Sequence, residues 1–278
     1  FPIFTSVTRI QIMGGYDWLT FSPYSVCLPA GPCSIPSWAL GRSFAGGVST
    51  TNTPPPSLGY FLGMFGSSFS ISFRDAFERA PEILNELATK ILPGELHRSI
   101  SQADWVNKKI SPARLPNFAY KHDAHPSSAE EELAIVDGGY KSNLPLLPLL
   151  RHHDGALDVI IMLDSKCERP DRLVTALATW QACDAHGYQL PLFDTDALQK
   201  NSISIFTAPQ APTIIYLTLE PDSSFDPTFA PTEDSVYATP NFYYTPPQAT
   251  RLIDLVKHVV VSNKNLFVDT IAQAKIVS

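Results

Sequence analysis

Short apolar runs separated by helical stretches constrain the fold of this chain most strongly. Three runs have the length and composition of buried strands, namely Leu133–Val136, Leu157–Leu163 and Thr213–Leu219. Residues 171–186 follow helical spacing and end at Gly187, which predicts a helix closed by a C-cap glycine. Alternating strand and helix signals are typical of an α/β fold. We therefore expect an α/β protein.

Both ends of the chain add further elements to this pattern. Residues 3–10 alternate like a strand, and residues 57–70 carry glycines at four- and three-residue spacing. We expect a buried helix there, with a Gly-rich loop as the alternative. Residues 73–92 have helical spacing interrupted by a proline, which predicts a kink or two helices. Residues 248–275 predict one or two helices with a break near Ser262–Lys264.

The remaining organisation is that of one domain with many rigid connections. Residues 93–128 are polar and poorly periodic, which predicts a long surface segment. The 25 prolines imply many short elements joined by stiff turns. No repeat, low-complexity tail or clean linker divides the 278 residues, so a single domain is the better interpretation.

Composition and charge exclude several classes of function. Hydrophobic residues make up 44% and charged residues 17% of the chain, which allows a sizeable core. A net charge of −7 without any Lys/Arg cluster argues against nucleic-acid binding. The same charge disfavours long-range attraction to anionic membranes, although a local patch can still dock on one. No apolar run approaches the roughly 18 residues of a membrane-spanning helix.

The four cysteines give two different expectations. Cys27 and Cys33 flank the turn-rich sequence L-P-A-G-P, which can bring the two within disulfide reach. Cys167 and Cys183 bracket the helix expected from Pro170. A helix rises about 1.5 Å per residue, so its ends lie beyond the roughly 4.4–6.8 Å between Cα atoms that a disulfide needs. We expect the second pair to be buried thiols.

Asp137 is the candidate catalytic residue of this sequence. It ends the apolar run A-I-V and is followed by two glycines, so its carboxylate lies at the sheet edge where α/β proteins place their sites. An aspartate carboxyl in water has a pKa of about 3.9 and is a weak base at neutral pH, although a low-dielectric pocket raises such a value. The alternative is an ordinary D-G turn in which the aspartate bonds its own backbone.

The histidines do not form a convincing site in the sequence. His152, His153 and Asp154 lie in a polar stretch, and adjacent residues of an extended chain point to opposite faces. A solvated loop is the better interpretation. The group H-D-A-H from His122 to His125 matches no zinc pattern and has no second ligand cluster. We therefore expect no metal site.

A hydrolase nucleophile is also missing from the sequence motifs. The nearest approaches to G-x-S-x-G are G-R-S-F-A from Gly41 and G-S-S-F-S from Gly66, and both lack the closing glycine. No phosphate-binding G-x-x-x-x-G-K-S/T or G-x-G-x-x-G motif is present. A hydrolase built from this chain alone would lack its attacking atom.

Several segments, in order, resemble one family. They are F-P-I-F-T-S-V from Phe1, W-L-T-F-S-P-Y-S-V from Trp18, I-P-S-W-A-L-G-R-S-F-A-G-G from Ile35, S-L-G-Y-F-L-G-M-F-G-S-S-F-S from Ser57, D-G-G-Y-K-S-N-L-P-L-L-P-L-L from Asp137 and L-D-V-I-I-M-L-D-S from Leu157. Together they are similar to the cytosolic phospholipase A2 and fungal lysophospholipase (phospholipase B) family. Each segment alone is weak, but the ordered set spans most of the chain.

The resemblance implies a fold and a dyad mechanism. Enzymes of this family have a three-layer α/β/α patatin-like catalytic domain with a central mixed sheet. They hydrolyse phospholipid acyl esters through an acyl-enzyme, using a serine–aspartate dyad. By resemblance, Asp137 is the dyad aspartate. The family's G-x-S-G-S/G serine, oxyanion glycines and phosphate-contacting arginine have no counterpart here, so residues 1–278 resemble the C-terminal half of the catalytic domain.

The same resemblance implies partners, cofactors and location. We expect a second chain, the N-terminal half of the same enzyme, to supply the serine and the oxyanion hole in a heterodimer. The substrates implied are phospholipids or lysophospholipids at a transient membrane surface, in the cytoplasm, with secretion as the alternative. No cofactor is expected, since calcium acts in the cytosolic relatives through a module absent from this chain. The alternative function is a non-catalytic lipid-binding or scaffolding subunit.

Overall fold

The computed structural model describes residues 2–10, 15–28, 33–67, 112–123, 125–153, 156–165, 169–238, 241 and 243–277. The predicted helical stretch at 73–92 lies outside them. The chain divides into two compact units, Phe1–Pro148 and Leu149–Ser278. The sequence-based assignment of the whole chain to one half of a single catalytic domain stays a prediction.

The first unit is built on a six-stranded sheet with antiparallel neighbours. Its strands, in the spatial order β4-β3-β2-β1-β8-β7, are β1 (Phe4–Ile10), β2 (Gly15–Phe21), β3 (Ser25–Leu28), β4 (Cys33–Pro36), β7 (Ala113–Pro116) and β8 (Glu132–Asp137). A small hairpin, β5 (Phe44–Ala45) and β6 (Val48–Ser49), follows β4 in the chain. The strands predicted at 3–10 and before Asp137 are confirmed.

Both faces of this sheet are buried near its centre. Because side chains alternate along a strand, Leu19 and Ile135 lie on one face and Val7, Trp18 and Val136 on the other, and all five are at most 2% exposed. The face of Leu19 and Ile135 carries the main apolar cluster of the unit, which includes Phe21, Leu28, Leu115 and Leu133. Strand β8 is therefore held rigidly up to its last residues.

Helix α1 (Leu58–Phe65) packs on this sheet through its aromatic residues. The ring of Phe65 stacks on Phe4 at 5.1 Å and lies 4.9 Å from the ring of Phe21. The predicted helix is thus present, but the expectation that it is buried is wrong. Most of its residues are exposed, and a Cβ on Gly63 would meet nothing within 4 Å. The aromatic side chains, rather than the glycines, form the packing face.

The segment predicted as a polar surface loop folds inward over its described part, residues 112–123 and 125–128. Phe118 and Ala119 are buried in the main cluster, and Asn117 is 1% exposed. The Asn117 amide donates to the carbonyls of Ser127 at 2.8 Å and Glu130 at 2.7 Å. One side-chain amide thereby satisfies backbone carbonyls that would otherwise oppose burial. The prediction is wrong here, and residues 93–111 lie outside the described part.

The second unit contains a three-stranded mixed sheet. Strand β11 (Thr213–Thr218) lies between β10 (Ile203–Phe206), which is antiparallel to it, and β9 (Val159–Asp164), which is parallel. Every residue of β11 is buried, as its continuous apolar sequence predicts. The described residues form two main sheets, so the single central sheet of a three-layer architecture stays a prediction.

The described helices after β8 are α2 (Leu146–His152), α3 (Arg169–Asp184), α4 (Thr195–Lys200), α5 (Pro246–Ser262) and α6 (Lys264–Val277). Gly187, just beyond α3, has φ +80°, which is the left-handed conformation expected of a C-cap region. The predicted break near Ser262–Lys264 is the junction of α5 and α6. His152 ends α2 rather than lying in a solvated loop, which corrects that expectation.

The cysteines of β3 and β4 are free thiols. Cys27 pairs with Ser34, whereas Cys33 pairs with Leu28. The two cysteines are thus one register position apart, and their side chains point to opposite faces of the sheet. A disulfide is excluded by this geometry. Cys183 is buried, as predicted, and burial raises the pKa of its thiol to about 12; Cys167 lies outside the described residues.

Candidate active site

Asp137 lies at the carboxyl end of β8, between β1 and β7, and is half-buried. A 3₁₀ turn, Gly138–Tyr140, follows it. The Asp137 carboxylate caps that turn, because its Oδ1 accepts a hydrogen bond from the Gly139 N–H at 2.7 Å. The described residues donate no hydrogen bond to Oδ2. The local geometry is that of the D-G turn, and one oxygen stays available to another donor.

The two glycines after Asp137 are required by space rather than by backbone conformation, since neither has a positive φ. A Cβ on Gly138 would lie 3.1 Å from Cζ3 of Trp18 and 3.3 Å from the carbonyl oxygen of Thr5. A Cβ on Gly139 would lie only 2.6 Å from Oδ1 of Asn143. Glycine at these positions lets the turn pack closely on β1 and β2 and leaves a small space beside the carboxylate.

The turn is anchored on β2 by the two residues that follow the glycines. The ring of Tyr140 lies 5.3 Å from that of Tyr16. Nζ of Lys141 donates to the carbonyl oxygen of Tyr16 at 2.8 Å and lies 3.8 Å from Oδ1 of Asp17. These contacts join residues more than a hundred positions apart and fix the direction in which β8 ends.

Ser6 is the hydroxyl residue directly opposite Asp137 in the β1–β8 pairing. Residues opposed in this way have their side chains on the same face, with Cβ atoms about 4.5–5.5 Å apart. Ser6 is 0% exposed, however, and its Oγ makes no hydrogen bond with the described residues. A buried hydroxyl of this kind is inaccessible to an ester, so Ser6 is not the nucleophile of the site.

Of the two histidines in the H-D-A-H sequence, His125 is buried in the folded interior and His122 is partly buried. His125 is 3% exposed, and its Nδ1 accepts a hydrogen bond from the Ser127 N–H at 3.1 Å. Burial lowers the pKa of His125, against the opposing effect of the Asp17 carboxylate. In the described part of the chain, no group of three or more His, Cys, Asp or Glu side chains is arranged to hold a metal ion.

A second buried polar cluster lies at the carboxyl ends of β9 and β11. Nη1 of Arg172 donates to Oε1 of Glu220 at 2.7 Å, and the Tyr216 hydroxyl donates to Oδ2 of Asp164 at 2.5 Å. All four residues are at most 5% exposed. Their charges and hydrogen bonds are directed at one another, so the cluster joins β9, β11 and α3 rather than forming an open site.

Comparison with known proteins identifies the family. The profile of the lysophospholipase catalytic domain matches residues 1–263. The chain belongs to this family. It is 23% identical to human cytosolic phospholipase A2 zeta over 339 residues, covering 95% of the chain and 39% of that protein. The mouse zeta protein is also 23% identical, over 346 residues, with 95% of the chain and 40% of that protein covered.

Solved structures show the same fold. Human GIVD cytosolic phospholipase A2 superposes with a TM-score of 0.71 at 17% identity, covering 98% of this chain and 44% of that one. Its complex with methyl gamma-linolenyl fluorophosphonate gives 0.66 at 18% identity, covering 93% and 37%. The fold is therefore the mixed α/β fold of these catalytic domains. The chain spans less than half the length of each relative that it matches.

No helix in the described ranges combines the length and apolar character needed to cross a bilayer.

The sequence analysis named Asp137 as the candidate residue but did not name the residues that surround it in the structure. Ser6, Asn143 and Lys141 approach the carboxylate or its turn through pairing and packing that sequence spacing does not encode. The only available signal was the polar alternation of β1, where Ser6 and Thr8 interrupt apolar positions. A hydroxyl on a buried strand face is an unusual placement.

Proposed function

We propose that this chain carries the base of a serine–aspartate dyad in a phospholipid acyl-ester hydrolase of the phospholipase A2/lysophospholipase type. One observation supports the proposal above the others. The Asp137 carboxylate is fixed at Oδ1 by the Gly139 N–H, while Oδ2 accepts nothing from the described residues. It occupies a strand end in a chain of the lysophospholipase catalytic domain family. A dyad base needs an oxygen that is free to accept the proton of the serine hydroxyl.

The mechanism proposed is acyl transfer through a covalent intermediate. Oδ2 of Asp137 takes the proton of a serine hydroxyl as its oxygen attacks the ester carbonyl, and the proton then passes to the departing alcohol. Water next attacks the acyl-enzyme and gives a proton to Asp137. Asp137 passes that proton to the departing serine oxygen, so the fatty acid leaves and the serine hydroxyl is restored. An aspartate is a weak base, so amide donors to the oxyanion carry much of the rate. Loss of one such donor typically costs about 10²–10³-fold.

The serine and its oxyanion hole are proposed to come from the part of the catalytic domain that this chain does not span. The relatives are more than twice as long as the region matched. We retain the sequence-based prediction that this part is a second polypeptide. We also retain the prediction that the present chain is the C-terminal half of a three-layer α/β/α catalytic domain. Size-exclusion chromatography with mass spectrometry tests it, since a folded, active monomer of a single chain would contradict the heterodimer.

The substrate class follows from the relatives' names. They are phospholipases A2, and one solved relative is bound to a linolenyl fluorophosphonate. We propose a phospholipid or lysophospholipid with an unbranched acyl chain as the substrate here. The relatives are named as cytosolic, so we expect a cytoplasmic enzyme that acts at membrane surfaces.

The decisive experiment is Asp137→Asn in the assembled enzyme. Asparagine keeps the size and the Oδ1 contact with Gly139 but cannot accept the serine proton, so turnover of a phospholipid ester should fall to background. Circular dichroism should be unchanged. Asp123→Asn, an exposed turn aspartate of the same unit, is the matched control and should keep full activity. More than a few per cent of activity in Asp137→Asn would remove Asp137 from this role.

The alternative of a lipid-binding or scaffolding subunit has a separate test. A serine-directed fluorophosphonate should label the assembled enzyme, and the label should disappear in Asp137→Asn. Vesicle binding without any labelling, in a sample that contains the complete catalytic domain, would favour the non-catalytic subunit.

A further inference from the structure

Asn143 lies beside the carboxylate of Asp137, across the backbone of Gly139. A Cβ placed on Gly139 would be 2.6 Å from Oδ1 of Asn143 and 3.2 Å from Oδ1 of Asp137. The Oδ1 atoms of both side chains therefore border the position that a side chain at residue 139 would occupy. Asn143 follows Asp137 by six positions in the sequence, and the 3₁₀ turn between them brings them together.

The backbone around Asn143 is fixed without help from its side chain. The Lys141 and Ser142 N–H groups both donate to the carbonyl oxygen of Gly138, at 3.0 and 3.1 Å. The Leu144 N–H donates to Oγ of Ser142 at 3.0 Å. The amide of Asn143 makes no hydrogen bond with the described residues, and its side chain is exposed. A side-chain amide has two N–H donors and one carbonyl acceptor, and in Asn143 these groups are open to solvent.

We propose that Asn143 is a second substrate-contacting residue of this site, with its Nδ2 amide donating to an oxygen of the ester group. The inference rests on the proposed function of Asp137. A serine that gives its proton to Oδ2 of Asp137 must lie within about 3 Å of that oxygen. The ester it attacks then approaches the space that Asn143 borders. Glycine at position 139 is what allows the amide to reach there.

Two substitutions in the assembled enzyme separate the donor from the shape of the side chain. Asn143→Ala removes the amide, and Asn143→Asp keeps its size but replaces the N–H donors by an acceptor. Both should lower kcat/KM by about 10- to 100-fold, the range of a hydrogen bond that involves developing charge. Asn52→Ala, at an exposed asparagine of the same unit, is the matched control and should be unchanged. Full activity in Asn143→Asp would overturn the donor role.

A double-mutant cycle tests the part played by Gly139. Gly139→Ala pushes its new methyl group into the place of the Asn143 amide, so it should lower kcat/KM in the wild-type background. In the Asn143→Ala background no amide remains to be displaced, and the same change should cost much less. Equal losses in both backgrounds would mean that Gly139 acts through the backbone alone and would contradict the proposal.

The same assays distinguish this inference from the proposed function. If Asp137→Asn keeps its activity, both the proposed dyad and the proposed Asn143 contact are refuted. If Asp137→Asn is inactive while Asn143→Ala and Asn143→Asp stay within about twofold of wild type, only the Asn143 contact falls. The rate of fluorophosphonate labelling reports the acylation step directly, and it should decrease in both Asn143 variants without a change in melting temperature. A lower melting temperature with an unchanged labelling rate would make Asn143 a structural residue only.

Discussion

The buried ion pair between Arg172 and Glu220 gives the sharpest stability prediction of the second unit. Nη1 of Arg172 lies 2.7 Å from Oε1 of Glu220, and the side chains are 0% and 4% exposed. In Glu220→Gln the guanidinium stays charged, because arginine cannot lose its proton in a protein. It then remains buried after the loss of the Glu220 carboxylate. Breaking a buried pair in this way costs about 3–5 kcal/mol of unfolding free energy.

Other contacts of Arg172 narrow the loss of unfolding free energy expected for Glu220→Gln. Nη1 also donates to the carbonyl oxygen of Leu198 at 3.2 Å, and the Asp164–Tyr216 pair lies in the same cluster. These groups still solvate part of the charge, so we expect the lower end, about 3 kcal/mol. The reverse change, Arg172→Met, should cost less at acidic pH than at neutral pH. A buried carboxyl can discharge by binding a proton, whereas a guanidinium cannot.

Urea denaturation followed by circular dichroism measures both effects. The matched control is Lys200→Met, which breaks the Lys200–Asp196 pair of helix α4. That pair has an N–O distance of 2.8 Å, yet its side chains are 69% and 74% exposed. Water replaces a lost partner there, so no measurable change is expected. A Glu220→Gln variant as stable as this control would refute the argument that burial, rather than distance, sets the strength of these pairs.

Two further predictions concern the first unit. Gly138→Ala places a methyl group 3.1 Å from the Trp18 ring, so it should destabilise the protein by about 1–3 kcal/mol. It should also lower activity, because it moves the turn that follows Asp137. The control is Gly63→Ala, whose methyl group meets open space on a helix and which should be neutral or stabilising in thermal melts. Burial lowers the pKa of His125 below its ordinary value of 6.5. Below pH 6.5 the unfolded chain therefore binds a proton that the folded chain does not, and the free energy of unfolding should decrease as the pH is lowered. His125→Asn keeps an acceptor for the Ser127 N–H and should reduce that slope in urea titrations between pH 7 and 5; an identical slope would assign the acid sensitivity to other groups.

The parts of the fold that depend on local pattern could be predicted from the sequence. The strand before Asp137 and the fully buried strand β11 were visible as short apolar runs with polar or turn-forming ends. The junction of α5 and α6 was visible because helical spacing breaks there. Period and length are properties of neighbouring residues, so these elements do not require knowledge of the tertiary structure.

The parts that depend on which surfaces meet could not be predicted. Glycine spacing predicted a helix within residues 57–70 but did not indicate that Phe65, rather than Gly63, would face the sheet. A short loop between Cys27 and Cys33 indicated proximity, but strand register turned the thiols to opposite faces. In both cases the prediction used the spacing of residues along the chain, whereas the outcome depended on which side chains face each other in three dimensions.

The two interpretations of D-G-G at Asp137 are compatible, because a carboxylate has two oxygens. The turn uses Oδ1, which accepts from the Gly139 N–H. That bond restrains the carboxylate and, with it, the direction of Oδ2, so the contact that closes the turn would also orient the base that we propose. An aspartate that only closed a turn would be replaceable by asparagine, since the asparagine oxygen also caps such turns. Asp137→Asn therefore separates the two roles by retaining the turn and removing the proton acceptor.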